Sequence, residues 1–311
     1  MDWIFIALSA YLFLAIANLL DKFLVDKVLK NSKTYAFIVC IMGLVVLVIA
    51  PWFIEWPGLF WFSFNIFNGF LFAIALWTLY EALKRGEAAK TLVFIGGLTP
   101  VFSILLSLVV FNEVYVWNQW LGMGFLLLGV FVIAILPESR NFTKRLFHRL
   151  GLKNIHTRYA FRIATVSAIF YASYFIASKY AYNNQPFVSA FLWNRLGAGI
   201  FVLVFLIRKK DRLAIYSLFK KSKQNKNKSL VVFNQLLGSS GFILQNYAIS
   251  LGPVAIINAM QGFQYAFLLL LSGALTFFIP NLYKEKFSWR IIAQKIFAIV
   301  IIGIGLAFIA M

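Results

Sequence analysis

Residues 80–134 read YEALKRGEAAKTLVFIGGLTPVFSILLSLVVFNEVYVWNQWLGMGFLLLGVFVIA, and this stretch decides the fold. It opens with a short basic turn, continues as a long apolar segment to Glu113 and Trp117, and ends in a second apolar segment rich in glycine. The same order returns in the second half of the chain, where Glu285 and Trp289 keep the four-residue spacing. A soluble protein cannot bury so many long apolar segments, so the repetition predicts a membrane protein built from two similar halves.

The composition also predicts a membrane protein. The chain has 311 residues, of which 62% are hydrophobic and only 13% are charged. A hydrocarbon layer about 30 Å thick needs about 20 apolar residues per helix. The sequence therefore predicts an all-α, polytopic membrane protein with ten transmembrane helices. These predicted helices lie at 3–21, 35–54, 59–82, 90–111, 117–136, 160–181, 187–207, 230–250, 254–279 and 289–310.

The formal net charge of +19 is concentrated in alternate loops between the predicted helices. Odd-numbered loops hold nearly all lysines and arginines, whereas even-numbered loops such as 112–116 contain none. The positive-inside rule then places the odd loops in the cytoplasm and both termini outside the plasma membrane. Loops five and seven also resemble interfacial amphipathic helices, which makes the lipid bilayer their expected partner. Nucleic acid is not expected as a partner, because the basic run 220–228 has no interleaved aromatic residues.

Catalytic and metal-binding patterns are absent from the sequence. Cys40 is the only cysteine, and it lies inside the second predicted helix. Both histidines lie in loop five, and no G-x-S-x-G, H-E-x-x-H or P-loop motif occurs. The sequence therefore predicts no enzyme, no metal site and no cofactor.

A set of short motifs resembles EamA-type members of the drug/metabolite transporter superfamily. In the first half the motifs are Tyr80-x-x-Leu83, Ala88-Ala89, Thr99-Pro100-Val101-Phe102, Glu113 and Leu128-Gly129. In the second half they are Tyr247-Ala248, Gly252-Pro253, Glu285, Gly303 and the segment Asn194-Arg195-Leu196-Gly197-Ala198. The resemblance implies ten helices, with helices one, three, four, six, eight and nine around a central cavity. Helices five and ten would pack at the periphery.

The sequence departs from the family pattern at three points. Asn112 stands where the family usually has glycine, so the local turn is not defined by the pattern. The first half has Cys40-Ile41 where the second has Asn194-Arg195, which makes the expected cavity asymmetric. Family members commonly start in the cytoplasm, whereas the charge distribution here places the N terminus outside.

Five helices per half is an odd number, so the two halves should cross the bilayer in opposite senses. This arrangement predicts an inverted repeat, which is an architecture for alternating access. The predicted domains are a first five-helix repeat at 1–137, a basic cytoplasmic linker at 138–158 and a second five-helix repeat at 159–311.

Two amides in the predicted helices are candidates for solute binding. Alignment of Tyr80 with Tyr247 places Asn68 of helix three opposite Gln235 of helix eight, at matching depth. Both are expected to line the cavity, and the alternative for each is an interhelical hydrogen bond.

Predicted helix nine carries a denser group of polar side chains. Asn258, Gln261 and Tyr265 fall at helical spacing on one face, and Gln264 borders it. A polar stripe in an apolar helix is expected to face inward, so these four residues are predicted to bind the solute.

Arg195 lies inside predicted helix seven, where an unpaired charge is costly. A substrate carboxylate or phosphate would provide bidentate contacts for it. The alternative is a structural arginine that reaches the interface or caps helix-end carbonyls.

Four aromatic residues inside the predicted helices complete the candidate site: Trp77, Trp193, Tyr171 and Tyr174. Each could stack on an aromatic or cationic solute, and helix packing is the alternative.

A bend is predicted in helix four. Gly96-Gly97 followed by Pro100 weakens the helix, because proline removes a backbone hydrogen bond and favours a kink. These three residues form the predicted gating hinge.

The sequence thus predicts a secondary transporter that moves a small polar or amphipathic metabolite, preferably an amino acid or a related organic solute. Acidic residues lie only near helix ends or in loops, so no midplane carboxylate is available for proton coupling. A flippase of the same fold is an alternative function, and a non-transporting membrane scaffold is a further one.

Overall fold

The computed structural model of the protein describes residues 2–25, 32–85, 88–134, 155–222, 228–278 and 289–310. Within these ranges every regular element is helical, in agreement with the predicted all-α fold class. The α-helices are α1 (Asp2–Val25), α2 (Ser32–Gly43), α3 (Ala50–Phe53), α4 (Leu59–Arg85), α5 (Ala88–Val110), α6 (Trp117–Ala134), α7 (Ile155–Asn184), α8 (Phe187–Leu203), α9 (Lys209–Ser222), α10 (Lys228–Leu251), α11 (Val254–Ala259), α12 (Gly262–Phe278) and α13 (Trp289–Ala310).

Several helices of the described ranges are long and apolar enough to cross a membrane. Five segments meet this condition by length and composition: Asp2–Leu20, Ser32–Phe53, Leu59–Arg85, Tyr159–Asn184 and Phe187–Leu206. Shorter apolar helices lie at Phe94–Val110, Trp117–Val132 and Ile296–Ala310. The total of ten crossings stays a prediction.

The second predicted helix is not a single α-helix. After Gly43 the chain tightens into a 3₁₀-helix at Leu44–Ile49 and then forms the short α3. The Ala50 N–H donates to the Leu47 carbonyl, and Pro51 follows without a donor of its own. Three valines in this stretch also crowd an α-helical turn, so the sequence itself favours the change.

The predicted helix at 254–279 is interrupted. α11 ends at Ala259 and α12 begins at Gly262, so Met260 and Gln261 form a turn between them. In this turn the Gln261 N–H donates to the Asn258 carbonyl at 3.1 Å. Such a three-residue spacing is tighter than that of an α-helix. The periodicity predicted that Asn258, Gln261 and Tyr265 share one face of a continuous helix. This prediction is wrong, because the turn separates Asn258 from Tyr265 and contains Gln261.

The predicted linker and the two amphipathic segments predicted in loops five and seven are described to different extents. α7 begins at Ile155, so the last residues of the predicted linker 138–158 are helical. In loop seven the expected amphipathic helix is present as α9. The amphipathic segment predicted in loop five lies outside the described residues.

Three closely packed helix pairs each combine one helix from the first half with one from the second half. α4 packs against α7, α1 packs against α10, and α6 packs against α13. In the predicted numbering, the first helix of each half thus lies against the third helix of the other half. α5 is the fourth predicted helix of the first half, and it packs against α11, which begins the fourth predicted helix of the second half.

α4 and α8 cross at a pair of glycines. A Cβ atom on Gly69 would lie 2.2 Å from the Asn194 carbonyl oxygen, and one on Gly197 would lie 2.4 Å from the Ile66 carbonyl oxygen. Both distances are far below van der Waals contact, so only glycine allows the two backbones to approach this closely.

Charged residues join the helix ends at what we call the basic end of the bundle. Lys33 Nζ lies 2.8 Å from Asp211 Oδ2 and links α2 to α9. Ser32 Oγ donates to the Glu81 carboxylate, which also pairs with Arg85 at 2.6 Å. Residues at the edges of loops one, three and seven therefore meet at one end, as the alternating charge predicts.

The opposite end of the bundle is closed by backbone contacts. The Glu55 N–H donates to Ser189 Oγ at 3.0 Å, and Trp193 Nε1 donates to the Glu55 carbonyl at 3.0 Å. Lys179 Nζ donates to the Ser250 carbonyl at 3.1 Å, which links α7 to the end of α10.

Asn112 lies in the turn between α5 and α6 with φ at +50°. This left-handed conformation is usually taken by glycine, and asparagine tolerates it better than most other residues. The turn therefore keeps a glycine-like backbone despite the departure from the family pattern.

Candidate solute-binding site

Arg195 lies on α8 inside the bundle, with only 8% of its surface exposed. Its guanidinium carbon is 4.3 Å from the ring centroid of Phe72, 4.4 Å from that of Phe242 and 4.8 Å from that of Phe191. Aromatic faces attract a cation, and each contact stabilises it by about 0.5–2 kcal/mol. The phenylalanines of α4, α8 and α10 therefore hold one positive charge between them.

A hydrogen-bond network orients this arginine. Arg195 Nη2 donates to Tyr174 Oη at 3.0 Å, and Tyr174 Oη donates to Asn246 Oδ1 at 3.0 Å. Tyr182 Oη donates to the same oxygen at 3.0 Å, and Asn246 Nδ2 donates to the Phe242 carbonyl at 2.9 Å. A buried network in which these groups are paired fixes the orientation of its members.

The arginine itself is only partly satisfied. Within the described ranges no carboxylate pairs with Arg195, and its Nε has no hydrogen-bond partner. A buried charge without a counterion is costly, and a guanidinium is suited to carboxylates and phosphates. This part of the bundle is therefore complementary to an anionic group.

The turn between α11 and α12 is held by residues of two other helices. Tyr11 Oη on α1 donates to the Ile257 carbonyl at 2.6 Å. Gln245 Nε2 on α10 donates to Tyr11 Oη at 3.4 Å. Because Gln245 precedes Asn246, α10 contacts both the arginine network and the interrupted helix.

Asn258 on α11 is buried, with 1% of its surface exposed. Its Nδ2 donates to Ser103 Oγ of α5 at 2.8 Å, while its Oδ1 has no partner within the described ranges. If the amide were turned over, Ser103 would still reach only one of its two ends. An unpaired buried acceptor costs about 1–3 kcal/mol, so this oxygen is available to a donor on a solute.

Tyr265 connects α12 to α5. Its Oη donates to the Leu92 carbonyl at 3.0 Å. A Cβ atom on Gly96 would lie 1.9 Å from this hydroxyl oxygen. The Tyr265 hydroxyl therefore occupies the space that a side chain at position 96 would fill. Gly96, which was predicted as part of the hinge, thus has a packing role.

Asn68 and Tyr171 lie close to the arginine network. In the orientation that satisfies both ends of the Asn68 amide, its oxygen accepts from Ser178 Oγ at 2.9 Å and from Asn194 Nδ2 at 3.3 Å. Its nitrogen then donates to the Tyr174 carbonyl at 3.2 Å. Asn68 is thus paired as the hydrogen-bonding alternative expects, and the half-buried Tyr171 packs against Phe72.

The two other polar residues of predicted helix nine differ in burial. Gln264 is buried near the start of α12, whereas Gln261 is half-buried in the turn. The Gln264 N–H donates to the Gln261 carbonyl at 3.0 Å. Gln261 therefore lies in the interruption itself, and Gln264 lies in the first turn of the helix that follows it.

Three predicted site residues lie away from these groups. Trp193 packs against Trp56 at the opposite end, because the 54–58 loop folds over the start of α8. Trp77 packs against Phe205 towards the basic end. Gln235 is half-buried near the start of α10. α4 ends at the basic end of the bundle, whereas α10 begins there. Asn68 therefore lies nearer the opposite end and Gln235 nearer the basic end. The matching depth predicted for these two amides is wrong.

The other members of the predicted hinge lie in an uninterrupted helix. α5 runs from Ala88 to Val110 with the buried Pro100 inside it. A Cβ atom on Gly97 would meet Val130 at 3.6 Å, which is an ordinary contact. A gating motion at these residues stays a prediction.

Several residues that take part in the site were not predicted from the sequence: Tyr11, Ser103, Tyr182, Gln245 and Asn246. The adjacent amides Gln245 and Asn246 inside an apolar helix are a signal that could have identified them. The two tyrosines and the serine carry no comparable signal, because such residues are common in membrane helices.

Comparison with known proteins identifies the family. A family model described as the EamA-like transporter family matches residues 1–135 and 160–311. None of the curated proteins compared matches the chain. A solved structure described only as the crystal structure of a protein is 16% identical and has a TM-score of 0.65. The likeness covers 99% of this chain and 96% of that one, and at this identity it shows the fold alone.

The buried charge, the paired amides and the apolar helices are thus set in a chain that the family model covers almost completely. The protein belongs to the EamA-like transporter family, within the drug/metabolite transporter superfamily, and is a membrane transporter of that type.

Proposed function

We propose that the protein is a secondary transporter of a small metabolite that carries both an anionic and a cationic group, such as an amino acid. One observation carries this proposal: Arg195 Nε and Asn258 Oδ1 are buried polar atoms without hydrogen-bond partners in the described part of the chain. A carboxylate suits the first and an ammonium group suits the second.

Neighbouring residues of α10 support a shared role for the two groups. Asn246 belongs to the arginine network, and Gln245 contacts Tyr11 beside the interrupted helix. Interrupted membrane helices are a common element of solute sites in transporters, because they expose polar groups within the bilayer. A zwitterion would satisfy both buried groups without requiring a net change of charge in the site.

We also propose that the two halves form an inverted repeat that works by alternating access in the plasma membrane. The helix pairs α1–α10 and α4–α7 support this arrangement, since each half contributes the same two helices to them. The odd loops would then lie in the cytoplasm, and both termini outside.

The orientation is testable by labelling with a membrane-impermeant maleimide. Val114 is 92% exposed in the turn between α5 and α6, and Lys210 is exposed at the basic end. In intact cells the reagent should label a Val114→Cys variant and leave Lys210→Cys unlabelled. The native Cys40 is buried, so its background should be low. The reverse labelling pattern would refute the orientation.

The function is testable with purified protein. A thermal-shift screen of amino acids and related metabolites should find stabilising compounds, because a ligand that binds the folded state raises its unfolding temperature. A stabilising compound should then be exchanged across proteoliposomes that contain the protein.

The Asn258→Ala variant tests the role of the buried amide. We expect at least about a tenfold loss of flux, which corresponds to about 1.4 kcal/mol in the binding of the solute or of the transition state. The matched control is Asn184→Ala, because Asn184 is exposed near the opposite end and should leave the flux unchanged. Wild-type flux in Asn258→Ala would refute the site, and lipid movement without any solute exchange would favour a flippase instead.

A further inference from the structure

A separate cavity of about 620 Å³ lies at the basic end. The end of α4, the start of α7, the end of α8 and the start of α9 contribute to its walls. Its lining combines charged and aromatic side chains, among them Glu81, Arg85, Tyr159, Phe205, Arg208 and Asp211. Trp77, a residue predicted to contact the solute, also lines this cavity, but the cavity is distinct from the proposed solute site around Arg195 and Asn258.

The acidic residues of this cavity are already paired. Asp211 Oδ2 lies 2.8 Å from Lys33 Nζ, and Glu81 Oε1 lies 2.6 Å from Arg85 Nη2. Arg208 is exposed and has no acidic partner within the described ranges. The local field at its guanidinium is therefore positive, and it favours an anion.

The sequence around Arg208 strengthens this field. Lys209, Lys210 and Arg212 follow it, and all three are exposed. Asp211 is the only acidic residue in this run, and Lys33 neutralises it. Basic residues on a helix next to a membrane attract anionic headgroups by about 1 kcal/mol each.

Aromatic rings in the lining of the cavity form cation–π contacts with two of its basic residues. Lys33 Nζ lies 5.6 Å from the ring centroid of Trp77 and 5.7 Å from that of Phe205. The Arg85 guanidinium lies 4.7 Å from the ring centroid of Tyr159. These contacts hold two cationic groups in place while leaving Arg208 open to solvent.

The cavity continues into an exposed apolar surface. On the outer side of α8 and just beyond it, Ile200, Leu203, Val204 and Ile207 are exposed, and Val204 and Ile207 also line the cavity. Exposure increases from 42% at Ile200 to 78% at Ile207. A soluble anion would use only the basic residues, whereas a lipid could use both surfaces at once.

α9 is suited to lie at the membrane surface beside this cavity. Ile215 is buried against the bundle, while Leu213 and Tyr216 are exposed next to the charged residues at its start. A helix with mixed apolar and basic exposure is typical of membrane interfaces.

We propose that this cavity binds an anionic phospholipid, with the phosphate at Arg208 and an acyl chain along the apolar row that ends at Ile207. The occupant is a lipid because the positive field and the apolar row are continuous. Lipid binding would hold α9 against α2, to which the Lys33–Asp211 pair already connects it. This inference does not depend on the identity of the transported solute.

The test compares lipids by the thermal unfolding of the full-length protein in detergent micelles. Phosphatidylglycerol should raise the unfolding temperature in a saturable manner. Phosphatidylcholine and inorganic phosphate at equal concentration should not do so. An equal effect of phosphate would show a soluble-anion site, and an equal effect of phosphatidylcholine would show that charge is irrelevant; either result overturns the proposal.

Two variants locate the site, and a third is the control. Arg208→Gln should weaken the apparent affinity for phosphatidylglycerol about fivefold, since one basic residue contributes about 1 kcal/mol. Ile207→Gln should weaken it through the acyl chain without destabilising the bundle, because Ile207 is largely exposed. Arg162→Gln removes an exposed charge of α7 that does not line the cavity, and it should have no effect. Wild-type affinity in both Arg208→Gln and Ile207→Gln would overturn the proposal.

Discussion

α5 and the α11–α12 pair are the fourth predicted helix of each half, yet they differ in continuity. α5 contains Pro100 and remains one helix from Ala88 to Val110. The second-half segment has no proline between 254 and 278, and it is interrupted at Met260 and Gln261. Proline therefore does not decide where the helix is interrupted in this protein, and the interruption lies directly before Gly262.

One contact within α5 and one contact between the halves account for the difference. Thr99 Oγ1 donates to the Ile95 carbonyl at 2.8 Å, which adds a hydrogen bond beside Pro100 in α5. In the second half, the Ile257 carbonyl accepts a hydrogen bond of 2.6 Å from Tyr11 Oη of the first half. This hydrogen bond competes with the one that would continue the helix. A hydrogen bond from another helix can stabilise a turn within a membrane helix.

The largest effect is expected from Gly96→Ala. Its Cβ would lie 1.9 Å from Tyr265 Oη, so the substitution should push α12 away from α5. Overpacking of this kind costs about 1–3 kcal/mol, and the unfolding temperature of the purified protein should fall by several degrees. Gly97→Ala is the matched control, since its Cβ would meet Val130 at 3.6 Å.

Tyr265→Phe provides a second test of the same contact. Removal of the hydroxyl should recover part of the stability lost in Gly96→Ala, although the ring would still lie close to the new methyl group. If the two substitutions are simply additive in a double-mutant cycle, the contact between α5 and α12 does not hold the segments together.

A smaller effect is expected from Tyr11→Phe. The variant removes the buried hydrogen bond to the Ile257 carbonyl, which should cost about 1–2 kcal/mol of unfolding free energy. If this bond sustains the turn at Met260, hydrogen exchange of the α11 amides should change more than that of the α5 amides. Equal changes in both segments would mean that the turn does not depend on Tyr11.

The smallest effect on stability is expected from Pro100→Ala. Pro100 lies in a continuous α5 inside the membrane, where neighbouring helices make proline tolerable, so restoring one N–H should change the unfolding free energy by only about 1 kcal/mol. The predicted hinge nevertheless requires a change in transport rate, measured as flux in proteoliposomes at equal protein content. Unchanged flux would place the moving element elsewhere, and the interruption at Met260 would be the first segment to examine.

Much of the architecture is predictable from the sequence because charge and hydropathy are repeated over many residues. The basic loops predict which helix ends meet, and the Lys33–Asp211 pair joins two of them. Arg195 and Asn258 are recognisable because a charge or an amide inside an apolar helix needs a partner.

The remaining features depend on contacts that only the folded chain provides. Tyr11 is one of many aromatic residues, and nothing near it in the sequence indicates the Ile257 carbonyl as its partner. The interruption at Met260 lies in a segment without proline, and Gly262 does not identify it, because glycines such as Gly69 and Gly197 lie inside continuous helices. Trp193 appears internal by position, but the 54–58 loop covers the start of α8 and places its indole at the opposite end.

The crossing of α4 and α8 at Gly69 and Gly197 has a mechanical consequence. The two backbones touch there without intervening side chains, so the helices cannot slide past each other without collision. The helices can still rotate relative to each other about this crossing, and the glycine pair would be the pivot point. With a lever arm of about 20 Å to the end of α4, a tilt of about 10° displaces that end by about 3 Å. If alternating access tilts these helices, spin labels beside the crossing should keep their separation, while labels at the helix ends should change theirs.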